Sequence, residues 1–276
     1  MEPSLIHCEN VCNGPLLSGV PLEGGLTNQC WKVTDIHGNN YVWRPHSKAL
    51  SLFGVSREQE RRVLLCVEAY SWAPRVLYSC EEGLLVEWLV GETPLPISSA
   101  NHRELIELLA QIHSVNVESE RGIESFDYSA RINHYWSQLE SRYKTYQVQK
   151  LYQQYFHPPE LESVGFTLCH LDFGHHNSVK RKGKIKVIDW EYACLCDPRL
   201  DLAMTLDMIG EGEYGSVEKY LQLRGLSPEW SDSYRRGVEC WVSRGRFMAL
   251  LWYLLAHQEF QLPLYLDSAD QLIATL

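Results

Sequence analysis

The chain has 276 residues, 45% hydrophobic and 22% charged, which is enough apolar material for a large core or two lobes and excludes long disorder. Its formal net charge of −10 argues against a nucleic-acid partner, whose phosphates reward clustered Lys and Arg. Nine cysteines are scattered along it; none forms a C-x-x-C pair, and they read as reduced thiols of a cytoplasmic protein rather than a disulfide framework or zinc site.

In chain order, "MEPSLIHCEN" lacks a basic start followed by an apolar core, so no signal peptide is expected. "LLSGVPLEGG" reads as a strand entering a glycine turn. "QCWKVT" and "YVWRP" flank the turn signal "HGNN" and predict a β-hairpin. Ser56 fits the N-cap of a helix through "REQERRVLLCVEAY". Two short strands follow, "RVLYSC" and "LLVEWL", joined by "EEG". Three strands, a helix and two strands make a small antiparallel sheet carrying one helix, assigned to residues 1–90.

"VGETPLPISS" reads as a linker, and residues 91–276 read as mostly helical. Leu105, Leu108, Leu109 and Ile112 form the apolar face of one helix. Residues 129–156 predict a second, long one. Only "GFTLCH" and "KIKVIDW" are strand-like, with "KRKG" as a hairpin turn, and helices resume from about Asp201. "FMALLWYLLA" (247–256) is too short to span a membrane and predicts a buried helix. The expected fold class is therefore α+β, with a sheet-rich N-terminal lobe and a larger helical C-terminal lobe.

The stretch "LCHLDFGHHNSV" carries the most chemistry. His170, Asp172 and Asn177 stand as H-x-D-x-x-x-x-N, the spacing of a kinase catalytic loop. An aspartate there can orient a substrate hydroxyl and accept its proton. An asparagine five residues on can turn its amide oxygen toward a magnesium ion, and Asp189 in "VIDW" supplies the second metal carboxylate. A zinc or iron site from His170, His175, His176 and Asp172 is the competing reading, but adjacent histidines on a short loop do not converge on one ion. His170 fits a brace for the loop, while His175 and His176 fit positions in solvent or just behind the groups that touch substrate. The plain structural alternative makes Asp172 and Asn177 turn formers.

A kinase-like small lobe also needs a phosphate-covering loop, a cation on the third strand and a helix carboxylate to hold that cation. "EGGLTNQCWKV" offers Gly24 and Gly25 for close backbone approach, with Thr27 and Asn28 as donors. Arg44 in "YVWRP" stands where such folds place a lysine and can pair with phosphate in bidentate fashion. Glu60 shares a helix face with Leu64 and Val67 and is the expected partner of Arg44; Glu58 lies off that face. The connector "LLVEWLVGE" would meet adenine through its backbone around Glu87 to Leu89.

Together "GGLTNQCWKV", "CHLDFGHHN" and "VIDWEYACLCDPRLDLA" resemble the choline kinase, thiamine kinase and aminoglycoside phosphotransferase family, over roughly residues 15–260. The resemblance implies a bilobal protein-kinase-like fold, ATP and Mg2+ as cofactors, and a small cationic alcohol as acceptor. Thiamine is the first expectation, then choline or ethanolamine. It implies Asp172 as catalytic base, Asn177 and Asp189 as metal ligands, Glu191 as an aid to the metal, and Asp201 as a brace of the large lobe. No A-P-E segment follows Asp189, which argues against a protein substrate. No acidic run suits a polycationic aminoglycoside, and the intact Asp172, Asn177 and Asp189 argue against a non-catalytic nucleotide-binding scaffold. Trp241, Trp252, Tyr253 and Glu259 offer aromatic faces and a carboxylate for a cationic group, although aromatics at helical spacing are also ordinary core. Neither a nucleic-acid nor a membrane partner is expected.

Overall fold

Alternating apolar residues cover both faces of the first sheet. The structure, a computed structural model, describes residues 3–9, 11–12, 14–22, 30–117, 122–210 and 214–276. Five strands, β1 (Leu16–Pro21), β2 (Trp31–Asp35), β3 (Asn40–Pro45), β4 (Val76–Cys80) and β5 (Gly83–Glu87), form an antiparallel sheet in the order β1-β2-β3-β5-β4. Side chains alternate between faces along a strand. In β5, Leu84 and Val86 therefore meet the main core while Leu85 meets the outer cluster of Leu5, Cys8, Cys12, Val33 and Trp43. The N-terminal segment with the short helix α1 (Ile6–Glu9) lies on that outer face, a cover the sequence pattern did not announce. Trp43 Nε1 donates to Ser4 Oγ at 2.9 Å.

The expected β2–β3 hairpin is present. The Asp35 carboxylate accepts the backbone N–H groups of His37 and Asn39, and Gly38 takes the left-handed φ of 81° that the turn requires. A short helix, α2 (Lys48–Leu52), precedes α3 (Arg57–Val67). Ser56 caps α3 as expected, its side chain accepting from Gln59 N. Val63, Leu64 and Val67 of α3 pack on the inner face of the sheet, each such burial contributing about 1.5–3 kcal/mol.

The C-terminal part contains α4 (Ser99–His113), α5 (Tyr128–Gln138), α6 (Tyr146–Tyr155), α7 (Pro198–Ile209), α8 (Tyr214–Leu223), α9 (Ser231–Phe260) and α10 (Pro263–Thr275). Between them run two antiparallel pairs, β6 (Thr167–Cys169) with β9 (Cys194–Cys196) and β7 (Ser178–Arg181) with β8 (Lys184–Val187). Lys182 (φ 50°) and Gly183 (φ 75°) close the tight β7–β8 hairpin, matching the "KRKG" reading.

Two expectations need correction. The single helix over 129–156 is broken: the chain turns extended at Leu139, passes a short 3-10 turn and restarts at Thr145, whose hydroxyl accepts from Val148 N. Leu139 and Tyr143 of the break are buried in the second core cluster, so packing outweighs helical continuity. The "linker" is also ordered. Glu92 exchanges both backbone hydrogen bonds with Lys180, and buried Leu95 donates its N–H to the His175 carbonyl. Across this connection the main core is continuous, joining Val63, Leu64 and Leu84 to Leu105, Leu109 and Trp190. "FMALLWYLLA" falls inside α9, with Phe247, Leu250, Leu251 and Leu254 buried. Among the described residues no helix is long and apolar enough to cross a membrane.

Candidate active site

The H-x-D-x-x-x-x-N loop leaves β6 through a backbone position that needs holding. Leu171 sits at φ 60°, a left-handed conformation that costs a non-glycine residue about 1–3 kcal/mol. The compensation comes from Asp201 in the first turn of α7. Its buried carboxylate accepts the N–H groups of His170 at 2.7 Å and Leu171 at 2.9 Å, and pairs with His113 Nε2 at 3.0 Å. Hydrogen bonds to an ionised acceptor are the strong ones. His113 Nδ1 in turn meets Tyr220 Oη at 2.6 Å. Burial opposes a charge on His113, but the neighbouring acceptors outweigh it and raise its pKa to about 9. The Cys169 thiol beside it is pushed well up by burial, so the effective anion is Asp201. His170 Nε2 bonds the Ile188 carbonyl at 3.0 Å; burial lowers its pKa, which suits a neutral brace. His170 and Asp201 thus stand where the sequence reading put them, and His113 was missed.

Asp172 follows this anchored turn. Asn177 Nδ2 donates to Asp172 Oδ2 at 2.8 Å and to its carbonyl at 2.9 Å. With its nitrogen so fixed, the amide leaves its oxygen as the free ligand atom. His176 Nε2 lies 3.2 Å from Asp172 Oδ1, and the ring is half exposed, so His176 is solvated and touches the carboxylate, as expected. His175 needs correction: it is buried against His102, with ring centroids 5.0 Å apart, and its backbone is tied to Leu95.

Asp189, two residues beyond β8, caps a short 3-10 turn in a left-handed conformation, φ 64°, and its Oδ1 lies 2.5 Å from Arg44 Nη2. Arg44 Nε pairs with Glu60 at 2.8 Å, the partnership expected from the face of α3. Two further members were not foreseen in this role. Arg57 Nη1 lies 2.6 Å from Glu60 and 3.2 Å from Glu191, and Glu191 lies 3.3 Å from Arg44. The whole cluster is nearly or partly shielded from water. Burial and then the Asp189 charge push Glu191 up to about 7, against the pull of Arg44 and Arg57. Burial works in the same direction on Asp189, yet Arg44 and Arg57 hold its pKa below the usual carboxylate range. Arg44 and Arg57 face three carboxylates, Glu60, Asp189 and Glu191, of which Glu191 is only partly ionised near neutral pH. The hard oxygen donors of Asn177 and Asp189 fit Mg2+.

Gly24, Gly25, Thr27 and Asn28 lie outside the described residues. At the connector, Glu87 N–H is taken by the Arg75 carbonyl at 2.9 Å and its carboxylate faces Arg75 and Lys186, while Leu89 is buried.

A cavity of about 400 Å³ opens beside Asp172, Asn177 and Asp189. Its far wall is apolar and aromatic, with Met204, Met208, Met248, Trp252 and Tyr253. Trp252 Nε1 donates to Tyr192 Oη at 2.8 Å, which fixes both rings. Asp207 also faces the cavity, but Arg246 holds it in a bidentate pair at 2.6 and 2.9 Å. Of the aromatics named from the sequence, Trp252 and Tyr253 line the cavity. Trp241 is buried in the second core cluster and donates to Asp197, and Glu259 is exposed.

The family model for the APH phosphotransferase enzyme family matches residues 18–236. No curated protein is similar enough in sequence to count as a relative. Among solved structures, the choline kinase LicA from Streptococcus pneumoniae aligns with a TM-score of 0.71 at 20% identity, covering 100% of both chains. An ethanolamine kinase from Plasmodium vivax aligns at 0.70 and 16% identity, covering 94% of this chain and 81% of the other. APH(2")-IIia, solved with GDP and kanamycin, aligns at 0.66 and 15% identity, covering 99% and 98%. At these identities the likeness speaks for the fold alone, and it is the bilobal, protein-kinase-like one.

Proposed function

The chain belongs to the APH phosphotransferase enzyme family, and from that premise we propose that it is an ATP-dependent small-molecule kinase. It transfers the γ-phosphoryl group to the primary hydroxyl of a small cationic alcohol, thiamine before choline or ethanolamine. The observation that carries this reading is the convergence of Asp172, Asn177 and Asp189 on one wall of a cavity whose other wall is aromatic and apolar.

Asp172 orients the acceptor hydroxyl and takes its proton as the phosphoryl group leaves ATP. The Asn177 amide oxygen and the Asp189 carboxylate would hold Mg2+, which would supply positive charge to neutralise the phosphates. Arg44, aimed by Glu60, adds a fixed positive charge on the nucleotide side. Glu191, already engaged by Arg44 and Arg57, supports the metal site through those cations rather than by ligation. The backbone near Leu89 meets adenine because Glu87 N–H is already used. Most of the rate then comes from positioning and electrostatics.

The cavity supports thiamine over smaller alcohols. Its volume of about 400 Å³ and the faces of Tyr192, Trp252 and Tyr253 suit a flat heteroaromatic cation, through dispersion and cation–π attraction. Asp207 is neutralised by Arg246, which disfavours a polycationic aminoglycoside. The test is Mg·ATP consumption with thiamine, choline, ethanolamine, kanamycin or no acceptor. Thiamine-dependent turnover with thiamine monophosphate as product is the expected result. Turnover with choline alone would keep the mechanism and change the acceptor; silence with all four would overturn the reading.

A further inference from the structure

We propose that the protein carries a zinc site on its N-terminal lobe, formed by His7, Cys80 and Glu82 and separate from the phosphotransfer site. Their donor atoms, an imidazole nitrogen, a thiol sulfur and a carboxylate oxygen, all lie within 4.8 Å of one another. They come from distant parts of the chain: His7 from α1, Cys80 from the end of β4, and Glu82 from the β4–β5 turn. His7 Nε2 is 3.7 Å from Glu82 Oε2. Ligand atoms on a tetrahedral zinc are separated by roughly 3.3–3.6 Å, given bond lengths of about 2.0–2.3 Å. The histidine and glutamate therefore stand close to one edge of that tetrahedron already, and a small approach of the sulfur completes a face. Water fills the fourth position.

The donor chemistry selects the metal. Thiolate, imidazole and carboxylate together suit Zn2+ and not Mg2+ or Ca2+, which prefer oxygen alone. On binding, the Cys80 S–H gives its proton to solvent and the sulfur forms the zinc bond. Thiolate and carboxylate then cancel the double positive charge. His7 and Glu82 are partly exposed, at 34% and 44%, so the ion has an entry path.

A second group with the right donor types shows why composition alone is not enough. His113, Cys169 and Asp201 also cluster. There both Asp201 oxygens accept backbone N–H groups and both His113 nitrogens have partners. That trio is a closed hydrogen-bond network with no donor left for a metal. In the His7 cluster the contacts run among the three groups themselves: Cys80 hydrogen-bonds Glu82, and Glu82 pairs with His7, so a metal would replace contacts within the trio and would not have to break into a buried backbone anchor.

The site lies on the outer face of the sheet. Cys80 packs with the cluster of Trp43, Cys8 and Cys12, whereas Arg44, the neighbour of Trp43, points to the other face and the cavity side. Zinc would therefore pin the N-terminal segment onto the β4–β5 turn without touching Asp172 or Asp189.

The test is cobalt titration of the full-length, chelator-treated and reduced protein. Co2+ reports thiolate ligation by a near-ultraviolet charge-transfer band and tetrahedral geometry by visible ligand-field bands. We expect saturation at one Co2+ per chain, displacement by Zn2+, and loss of the charge-transfer band in Cys80→Ser. His7→Ala, at a partly exposed position, should lose the tetrahedral bands even if Cys80→Ser folds poorly. Cys8→Ser should keep both. Basal phosphotransfer should be unchanged in His7→Ala. Absence of a thiolate band in the parent, or its persistence in Cys80→Ser, would overturn the assignment. So would a Cys8–Cys80 disulfide that persists under the reducing conditions used.

Discussion

Behind Asp172, the Asp201 carboxylate is saturated: two backbone N–H groups and a histidine occupy it, and that histidine is held by Tyr220. In front of Asp172, Arg44 and Arg57 share Glu60, Asp189 and Glu191, three carboxylates to two guanidiniums, with Glu191 gaining its charge only around pH 7. Both networks are buried and ionic, yet they differ in what is left over. The rear one has its acceptors filled and can only hold a backbone shape. The front one has a surplus that a divalent cation and phosphates would complete. A buried ion cluster is weak evidence of stability in itself; its unspent charge is what marks it as a site.

The largest effect should come from removing the carboxylate on the open side. Asp189→Ala should abolish productive use of Mg·ATP, read in a coupled ADP assay, while melting near the parent temperature; retained turnover would break the contrast. Next, Asp201→Ala should act on the fold. Removing one partner from a buried charge network costs about 3–5 kcal/mol, measurable by urea unfolding, and activity should fall with the loosened Leu171 turn.

Smaller effects separate the networks by pH. His113 is raised from 6.5 to about 9 in the folded protein. Its contribution is fully present below pH 6.5 and is lost as pH rises through about 9. The stability gap between the parent and His113→Gln should narrow over that window. Glu191 is raised from 4.5 to about 7, so the folded state binds more protons there and stability falls between those values as pH rises. Glu191→Gln should remove that part of the fall and change little outside it, as followed by melting temperature against pH. A flat difference in both variants would mean the two networks are not distinct in the way drawn.

What could be read from the sequence was mostly local. The "HGNN" hairpin, the Ser56 cap and the "KRKG" turn are each decided within a few residues. The Arg44–Glu60 pair followed from a helix face, and Arg57 could have been found by its i,i+3 spacing to Glu60. The spacing of Asp172, Asn177 and Asp189 pointed to the site because they flank one hairpin, β7–β8. His113 pairs with a residue 88 positions away and Arg246 with one 39 away; no period or spacing announces such contacts. The break at Leu139 was hidden for a related reason: the residues that end the helix are apolar, and only the core they enter explains their extended backbone. His175 misled because a polar loop histidine reads as solvated until the connector above it is seen.

The most direct test of the account is the single-turnover rate of phosphoryl transfer from saturating Mg·ATP to thiamine by the parent and by Asp172→Asn. The account predicts thiamine monophosphate from the parent and a rate lower by ~10²–10⁴ in the variant, the range for loss of a general base. Equal rates in two folded proteins would contradict the role of Asp172, and a parent that leaves thiamine unmodified would contradict the acceptor.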